Sequence, residues 1–451
     1  MSLSVVILAA GKGTRMRSDQ PKVLHQLAHQ FMLQYVINVA KNLNPENITI
    51  IVGYQAAKVE EAFKHERLNW VIQKEQLGTG DAVKYAMPHL SGKQSIILYG
   101  DVPLVQLEDL SQLLKLSVGG LGILTFIKNN PTGYGRINRV DDGIVGIIEE
   151  KDCNQVQKEI REINTGIMAI DTKYLVKWLT LISNNNSQKE YYLTDIVGIA
   201  KKDKVKICSF EAKSEITVSG INSKTELAMM ERALQLKKTD VLMEAGVTLM
   251  DPARTDVRGK LDCGPDVVID VGCIFEGVVK LGKNVKIGAY VFLKDCEISD
   301  NSVIEPYCHI VSSEVGLNNR VGPYARLRPG TTLSSDVHIG NFVEIKNSKV
   351  GRGTKINHLS YVGDSLVGNM VNVGAGTVTC NYDGVNKHQT IIEDNVFIGS
   401  NAQLVAPVTI RQGATIGAGS TITKDAPADT LSISRAKQTS IPNWEKPTKK
   451  K

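Results

Sequence analysis

The sequence predicts three parts in series: a Rossmann-like α/β domain over residues 1–222, a linker helix over residues 223–246, and a left-handed parallel β-helix of hexapeptide repeats over residues 247–451. Three observations predict this order. Apolar runs alternate with helical stretches in the first half, a capped amphipathic stretch follows, and an aliphatic residue recurs every six positions in the second half. The length of 451 residues also exceeds what one hydrophobic core usually organises.

In the first part, strands alternate with helices. The predicted strands are Val5–Ala10, Ile48–Gly53 and Ser95–Tyr99, and the predicted helices are Phe31–Asn42 and Gly80–Met87. This alternation predicts a mostly parallel sheet with helices on both faces.

The linker is predicted to be one helix that begins at Ser223 and ends at Ala245. Ser223 followed by Glu226 is a capping-box pattern, and Gly246 suits the C-terminal cap. At 1.5 Å per residue, such a helix spans on the order of 33 Å and could separate two bodies. Its apolar face is expected to comprise Leu227, Met230, Leu234, Val241 and Ala245.

The second half has a six-residue rhythm that neither a helix nor a simple hairpin array accommodates. Three six-residue strands per coil form a triangular prism, with the recurring residue pointing inward on each flat side. Gly often follows the inward residue, as in Ile287-Gly288 and Ile339-Gly340, and is expected to turn the corner with a positive φ angle. The inward positions are Cys263, Ile269, Phe275, Leu281, Ile287, Leu293, Ile298, Ile304, Ile310, Val315, Val321, Leu327, Leu333, Ile339, Ile345, Val350, Ile356, Val362, Val367, Val373, Ile392, Ile398, Leu404, Ile410, Ile416 and Ile422.

The composition predicts a globular cytoplasmic protein. The formal net charge of +6 and the 5% aromatic content argue against nucleic acid as a partner, because nucleic-acid binders usually show a basic stripe with stacking aromatics. No apolar run reaches the length of a membrane span, and no signal-peptide pattern precedes the first strand. The seven scattered cysteines contain no CxxC pair, which fits reduced thiols in the cytosol.

A glycine-rich loop follows the first predicted strand. The segment Leu8–Met16 contains Gly11, Gly13 and Arg15, and Lys22 follows in a Pro-Lys pair. The glycines let backbone N–H groups approach a triphosphate closely, and the two cations can neutralise the charge that builds as pyrophosphate leaves. An ordinary βα turn is the alternative, but the Thr-Arg-Met and Pro-Lys context favours phosphate binding.

This loop resembles the signature of sugar-1-phosphate nucleotidyltransferases. Asp101 ends a predicted strand, where open α/β sheets bind ligands, and could hold Mg²⁺; a helix N-cap or loop acid is the alternative. Asn222 resembles the second protein ligand to Mg²⁺, although it could equally be a helix-start residue. The resemblance implies a UTP and UDP-sugar site formed by Leu8, Ala9, Ala10, Gly11, Lys22, Gln73, Gly78, Thr79, Tyr99, Gly100, Asp101, Gly135, Glu149, Asn164 and Asn222.

The reaction implied by this resemblance is attack of a sugar phosphate oxygen on the α-phosphorus of UTP, with pyrophosphate leaving. The nucleophile is already anionic and needs no general base. Mg²⁺, Lys22 and Arg15 would supply positioning and charge stabilisation.

In the second half, polar residues that flank the inward rhythm are the candidates for chemistry. Arg328 and Lys346 lie 18 residues apart, one full coil, and could clamp a sugar phosphate from the same side of the prism; a solvated charge ladder is the alternative. His358 is the candidate general base, because a neutral imidazole can accept a proton from an attacking amine. A lone histidine is more often structural, but this one lies beside phosphate-binding candidates.

An insertion interrupts the rhythm between Val373 and Ile392. Loops longer than a repeat often line the functional site of a solenoid. Beyond it, the repeats that contain Ser400 and Ala418 look like a groove for the pantetheine arm of acetyl-CoA, and Arg435 could reach the CoA phosphates.

The motifs from Leu8 to Arg435 together resemble one bacterial family, the bifunctional N-acetylglucosamine-1-phosphate uridylyltransferases and glucosamine-1-phosphate N-acetyltransferases. The resemblance implies acetyl transfer from acetyl-CoA to glucosamine-1-phosphate, then uridylyl transfer from UTP to the product, in a homotrimer. The implied acetyl-transfer residues are His358, Arg328, Lys346, Tyr361, Asn372, Asn381 and Lys387. The implied acetyl-CoA residues are Ala375, Asn381, Tyr382, Ser400, Ala418 and Arg435.

Two other functions are compatible with parts of the sequence. The first is a monofunctional sugar-1-phosphate nucleotidyltransferase whose β-helix is structural or regulatory; such enzymes lack the Asn-His-Leu-Ser-Tyr element and the Asn-Tyr-Asp-Gly insertion found here. The second is a scaffold with a decayed catalytic face, against which the presence of Lys22, Asp101 and His358 argues.

Overall fold

A computed structural model describes residues 2–449 of the chain. The described residues divide into two compact units whose boundary lies inside a long helix: one unit extends to Leu234 and the other starts at Gln235. Each unit has its own hydrophobic core. Among the described helices, none combines the length and apolarity needed to cross a membrane.

The first unit is built on a sheet of nine strands in which four of the eight neighbouring pairs are parallel and four are antiparallel, so the sheet is less parallel than the alternation of strands and helices predicts. The order is β11-β7-β10-β6-β1-β4-β5; β10 is antiparallel to β6 and β7, and β8 pairs with both β10 and β9. A separate hairpin contains β2 and β3. The strands are β1 Leu3–Ala9, β2 Gln26–Leu27, β3 Gln30–Phe31, β4 Asn47–Val52, β5 Asn69–Ile72, β6 Gln94–Tyr99, β7 Leu121–Ile127, β8 Arg136–Val140, β9 Gly143–Ile148, β10 Glu162–Asp171 and β11 Ile207–Glu211.

Helices cover both faces of this sheet, as the strand–helix alternation predicts. Successive residues of β1 supply two different cores: Val5 and Ile7 pack into one, Val6 and Leu8 into the other. The helices are α1 Met32–Asn42, α2 Ala56–Ala62, α3 Thr79–Ala86, α4 Leu107–Leu116, α5 Gln155–Lys158, α6 Thr172–Leu179, α7 Asp195–Lys202, α8 Glu215–Val218 and α9 Lys224–Glu244.

Helix α9 has the predicted capping box, because the Glu226 carboxylate accepts from the Ser223 backbone N–H while the Ser223 hydroxyl accepts from the Glu226 N–H. Gly246 has a φ of 95° and follows the last turn. The predicted apolar face holds only in the first half of the helix, where Met230 and Leu234 are buried.

The prediction that Val241 and Ala245 belong to the apolar face is wrong. The side chain of Val241 is 58% exposed, and Ala245 is also exposed. Gln235 and Thr239 are fully buried instead. The Gln235 side chain accepts from the backbone N–H of Val257 and donates to its carbonyl. A polar side chain can occupy the buried face because it satisfies the backbone hydrogen bonds of this edge strand of the β-helix.

The second unit is a parallel β-helix with three faces. Strands on the first face are Thr248–Leu249, Val268–Ile269, Lys286–Ile287, Val303–Ile304, Arg320–Val321, His338–Asn341, Lys355–His358, Asn372–Val373, Phe397–Ile398, Thr415–Ile416 and Leu431–Ser432. Strands on the second are His309–Val311, Arg326–Leu327, Glu344–Lys346, Tyr361–Gly363, Val378–Cys380, Gln403–Val405 and Thr421–Ile422. Strands on the third are Ser313–Val315, Thr331–Leu333, Lys349–Val350, Ser365–Val367, Thr390–Ile392 and Val408–Ile410. Three longer strands serve the second and third faces of the first coils: Asp256–Cys263, Ile274–Leu281 and Phe292–Ile298.

The predicted inward residues form the core of the prism. From Ile269 to Ile422 every one of them is buried, in a single continuous cluster. Cys263, in the first coil, is only half-buried. The six-residue rhythm therefore predicts the core of this unit almost completely.

The predicted role of the repeat glycines is wrong at most positions. Of Gly288, Gly322, Gly340, Gly374, Gly399 and Gly417, only Gly322 has a positive φ angle. The left-handed corners lie three residues after the inward position, for example at Tyr290 and Phe342. These glycines are needed for a different reason: a Cβ on Gly340 would lie 1.9 Å from the carbonyl oxygen of Asn357, so the next coil leaves no room for a side chain.

Candidate active sites

A cleft of about 310 Å³ lies at the carboxyl ends of β1 and β6 in the first unit. Open α/β sheets bind ligands at this edge. Ten of the residues predicted for nucleotide binding line it: Leu8, Ala9, Ala10, Gly11, Lys22, Gln73, Gly78, Thr79, Tyr99 and Asp101. The sheet thus brings together segments that are far apart in the sequence.

One side of this region carries a cation between two oxygen ligands. The Lys22 ammonium donates to the carboxylate of Asp101 and, at 3.0 Å, to the amide oxygen of Asn222. Both oxygens therefore converge on a positive charge, although 200 residues separate Lys22 from Asn222. A carboxylate and an amide oxygen are hard ligands that suit Mg²⁺, and the remaining positions of such an ion are usually taken by water and phosphate. This pair fits the predicted metal, and among the described residues no cluster of three or more His, Cys, Asp or Glu side chains offers another metal site.

The sugar-binding candidates lie around Tyr99 and Glu149. Burial raises the pKa of Glu149, and neighbouring acidic groups raise it further, while the Thr194 hydroxyl opposes the shift by donating to the carboxylate at 2.9 Å. A Cβ on Gly135 would lie 3.3 Å from this carboxylate, so glycine leaves space in front of it. The Asn164 side chain accepts from the N–H of Gly166, which itself packs against the Tyr99 ring.

Two predicted residues of the first site, Arg15 and Gly100, do not line the cleft. Arg15 is exposed. Gly100 packs against Leu33, Val23 and Ala9, which gives it a packing role behind the cleft.

Sequence reasoning also missed cleft residues. Gln76 donates to the carbonyl of Ala10 at 2.8 Å. It lies two residues before the predicted Gly78 and Thr79, and this closeness in sequence is a signal that could have identified it. Glu190, Val23 and Ala82 also line the cleft, and no local pattern singles them out.

In the β-helix, one vertical column connects the general-base candidate with the acetyl-CoA candidates. His358, Ala375, Ser400 and Ala418 each lie two residues after an inward residue at the end of the first face. Backbone hydrogen bonds link the column: the carbonyl of His358 accepts from Gly376, that of Ala375 from Asn401, and that of Ser400 from Gly419. Small residues therefore extend in line from the imidazole. The Arg435 guanidinium donates to the carbonyl of Ala418 at the far end.

The imidazole of His358 is held from the preceding coil. Its Nδ1 lies 2.8 Å from the Oδ1 of Asn341, its partner in the strand register. Because an amide oxygen can only accept, Nδ1 carries the proton in the neutral ring and Nε2 is left with its lone pair. The side chain is exposed on the single chain, so Nε2 is accessible to a substrate.

Arg328 and Lys346 lie one coil apart at the end of the second face, next to the paired inward residues Leu327 and Ile345. Arg328 forms an ion pair with Glu344 at 2.9 Å. His358 belongs to a first-face strand, and Tyr361 begins the second-face strand that follows it. The phosphate-clamp candidates and the base candidate therefore stand at opposite ends of the second face.

Lys387 reaches the same region from the insertion. The amine of Lys387 lies within hydrogen-bonding reach of the amine of Lys346, and this contact together with the repulsion between the two charges lowers the pKa of Lys387. Asp364 lies close to both lysines and accepts from the side chains of Asn347 and Asn381. Sequence reasoning missed Asn341, Glu344 and Asp364 as supporting residues. The signal that could have found them is their spacing of 16 or 17 residues, about one coil, from His358, Arg328 and Asn381.

The remaining acetyl-site candidates lie near these groups. Asn372 is the outward first-face residue one coil after Lys355, and the Tyr361 hydroxyl lies over Gly363. Tyr382 is 61% exposed on the insertion.

Comparisons with known proteins agree with this architecture. Residues 5–129 match the MobA-like NTP transferase domain, residues 257–340 the GMPPB C-terminal domain, and residues 389–424 the hexapeptide repeat of succinyl-transferase. The bifunctional protein GlmU of Nitrosospira multiformis is 52% identical, and the alignment covers 99% of this chain and 98% of that protein. The chain belongs to the bifunctional GlmU family. The GlmU protein of Chromobacterium violaceum is 51% identical, with 100% of this chain and 99% of that protein covered.

Membership of the GlmU family confirms the family assignment made from the sequence. It also confirms the expected fold, a Rossmann-like nucleotidyltransferase domain followed by a hexapeptide-repeat β-helix, and the expected enzyme class, a bifunctional transferase. The roles of individual site residues stay predictions.

Proposed function

We propose that the chain makes UDP-N-acetylglucosamine in two steps, one in each unit. The β-helix transfers the acetyl group of acetyl-CoA to glucosamine-1-phosphate. The α/β unit then joins N-acetylglucosamine-1-phosphate to the uridylyl group of UTP and releases pyrophosphate. The observation that carries the proposal is the pair of separate constellations, Lys22–Asp101–Asn222 in one unit and His358–Asn341 at the head of a small-residue column in the other.

In acetyl transfer, Nε2 of His358 accepts a proton from the sugar amine as the amine nitrogen attacks the thioester carbon. The new C–N bond replaces the C–S bond, and CoA leaves as its thiol after taking a proton. Asn341 keeps the imidazole in the tautomer that can accept. The column of Ala375, Ser400 and Ala418 accommodates the pantetheine arm, while Arg328, Lys346 and Lys387 bind the sugar phosphate.

In uridylyl transfer, the sugar phosphate oxygen attacks the α-phosphorus of UTP, and the bond to the pyrophosphate oxygen breaks. Lys22 neutralises negative charge on the phosphates, and the glycine-rich loop presents backbone N–H groups to them. Asp101 and Asn222 would hold Mg²⁺, which supplies further charge neutralisation when bound. Glu149, whose carboxylate is held by the Thr194 hydroxyl, orients the sugar by accepting from one of the sugar hydroxyl groups.

The setting of both reactions is also part of the proposal. We expect a homotrimer, because His358 and Tyr382 are exposed on one chain and a neighbouring prism would close a groove over them. We place the enzyme in the cytoplasm, since all seven cysteines are free thiols.

Single substitutions test the assignment of one reaction to each unit. A coupled assay with glucosamine-1-phosphate, acetyl-CoA, UTP and Mg²⁺ follows free thiol and pyrophosphate separately. His358→Ala should lower acetyl transfer by about 10²- to 10⁴-fold, the usual contribution of a general base, and leave uridylyl transfer from supplied N-acetylglucosamine-1-phosphate unchanged. Asp101→Ala should do the reverse. Loss of both activities in either folded variant would contradict the proposal.

A monofunctional nucleotidyltransferase with a structural β-helix is the less favoured alternative. The matched relatives are named as bifunctional proteins, and they align along nearly the whole chain, including the β-helix. If glucosamine-1-phosphate and acetyl-CoA gave no free thiol with the folded wild-type chain, this alternative would replace the proposal.

A further inference from the structure

The insertion that carries Lys387 is held by one carboxylate and one imidazole. Residues 381–389, named here the insertion loop, join the second-face strand Val378–Cys380 to the third-face strand Thr390–Ile392. Tyr382 and Lys387 face each other in an antiparallel bridge, so the loop is a small hairpin. It contributes little apolar burial: Val385, at its tip, is 84% exposed. Polar contacts must therefore fix its conformation.

Asp383 supplies most of these contacts. One carboxylate oxygen accepts from the backbone N–H groups of Val385 at 2.8 Å and Asn386 at 2.6 Å. The other accepts from Nε2 of His388 at 2.7 Å. The backbone N–H of His388 donates to the carbonyl of Asn381 at 2.8 Å, which closes the base of the hairpin. Asp383 thus ties the tip of the loop to the residue directly after Lys387.

Lys387 needs such a constraint because of where its amine lies. It stands beside the amine of Lys346, and two like charges repel each other. Asp364 compensates for only part of this charge, since it is one carboxylate shared between two lysines. A freely moving loop would carry Lys387 away from Lys346 into solvent. If the loop is held in place at the residue next to Lys387, both amines are in position before the substrate arrives. Less conformational entropy is then lost when a phosphate dianion binds.

We propose that Asp383 and His388 form a positioning pair that holds Lys387 beside Lys346 for binding the sugar phosphate. This inference rests on the proposed role of Lys387 in acetyl transfer. The pair does not touch the substrate. Asn381, at the start of the insertion loop, is held independently by Asp364, whereas Tyr382 is bridged to Lys387 within the loop. We therefore expect the pair to act mainly through Lys387 and to a smaller extent on the acetyl-CoA side of the site.

Two substitutions of His388 test the pair. His388→Leu removes the donor and keeps the bulk. His388→Gln restores an N–H at the same number of bonds from Cβ as Nε2. We expect His388→Leu to raise the KM for glucosamine-1-phosphate about tenfold, the scale of one charge-assisted hydrogen bond. The KM for acetyl-CoA should rise less, because only Tyr382 of that site is bridged to Lys387. His388→Gln should recover most of this loss. His65→Leu, an exposed histidine of the other unit, is the matched control.

A merely structural role predicts a different result. It would raise both KM values to the same extent, lower kcat, and give no rescue by Gln. That outcome, or an unchanged KM for glucosamine-1-phosphate in His388→Leu, overturns the inference. Circular dichroism and urea unfolding of the same samples report whether the β-helix is folded.

Lys387→Ala separates this inference from the proposed function. It should raise the KM for glucosamine-1-phosphate, and adding His388→Leu should have no further effect. If Lys387→Ala leaves that KM unchanged, both the role of Lys387 and the positioning pair are wrong. If it raises the KM while His388→Leu does not, only the positioning pair is wrong.

Discussion

Replacing Gly340 by Ala should separate two strands at the acetyl site. The added Cβ would lie 1.9 Å from the carbonyl oxygen of Asn357, whereas ordinary contacts of this kind start at 3.4 Å, so the two coils must move apart by about 1.5 Å. Gly340 precedes Asn341, and Asn357 precedes His358. The same movement therefore stretches the Asn341–His358 hydrogen bond from 2.8 Å to beyond hydrogen-bonding distance.

The expected loss is large for acetyl transfer and absent for uridylyl transfer. A misplacement of about 1 Å in a catalytic group can lower the rate about 100-fold, so we expect kcat/KM for acetyl transfer to fall by about that factor. Overpacking should also reduce the free energy of unfolding of the β-helix by about 1–3 kcal/mol. Thiol release measures the first effect, and urea unfolding followed by circular dichroism measures the second.

Two controls separate misplacement from unfolding. Gly146→Ala adds a methyl group with nothing within 4 Å and should change neither activity. Asn341→Leu removes the acceptor without a backbone collision and should lower acetyl transfer about tenfold with a smaller loss of stability. Normal acetyl transfer and stability in Gly340→Ala would refute the view that these coils are too close for a side chain.

Two further substitutions test the first unit. Thr194→Val removes the hydrogen bond that opposes the upward pKa shift of Glu149, so the pKa of Glu149 should rise further. Because the ionised carboxylate accepts from the sugar, the acid limb of kcat/KM for N-acetylglucosamine-1-phosphate should move to higher pH; an unmoved or lowered limb would argue against this role. Gly198→Ala, in α7 with nothing within 4 Å of the new Cβ, should stabilise the unit by about 0.5–1 kcal/mol, measured as a higher urea midpoint, and a lower midpoint would contradict it.

The sequence predicts the fold better than it predicts the supporting contacts, for a physical reason. Burial at a fixed period is a property of single positions, and a six-residue rhythm leaves little choice about which side chains point inward. The reason why a glycine recurs depends instead on its surroundings. A position that needs a positive φ angle and a position that a neighbouring strand approaches closely both require glycine, so the sequence pattern does not distinguish them. In α9, likewise, periodicity predicts Met230 and Leu234, but burial of Gln235 depends on an unpaired strand edge elsewhere in the chain.

Long-range pairing limits prediction of the sites in the same way. Asp101 could be placed because the end of a parallel strand is a local feature with a known use. The convergence of Lys22 and Asn222 depends on how segments far apart in the sequence meet, and only the resemblance to a family indicated it. Glu190 enters the cleft without any motif of its own.

The acetyl site can keep its geometry around a large insertion because of where that insertion lies. Strand pairing stays in register on the first face across it, with Val373 opposite Ile398, and on the third face, with Val367 opposite Ile392. The extra residues leave the prism between the second and third faces, after Thr379. Thr379 is buried and pairs with the inward residue Leu404, so it occupies an inward position where the other coils have an aliphatic residue. The column from His358 to Ala418 is consequently uninterrupted, while the insertion loop returns Lys387 to the second face. A residue inserted on the first face would instead turn every later side chain of the column away from the imidazole, because alternate residues of a strand point to opposite sides.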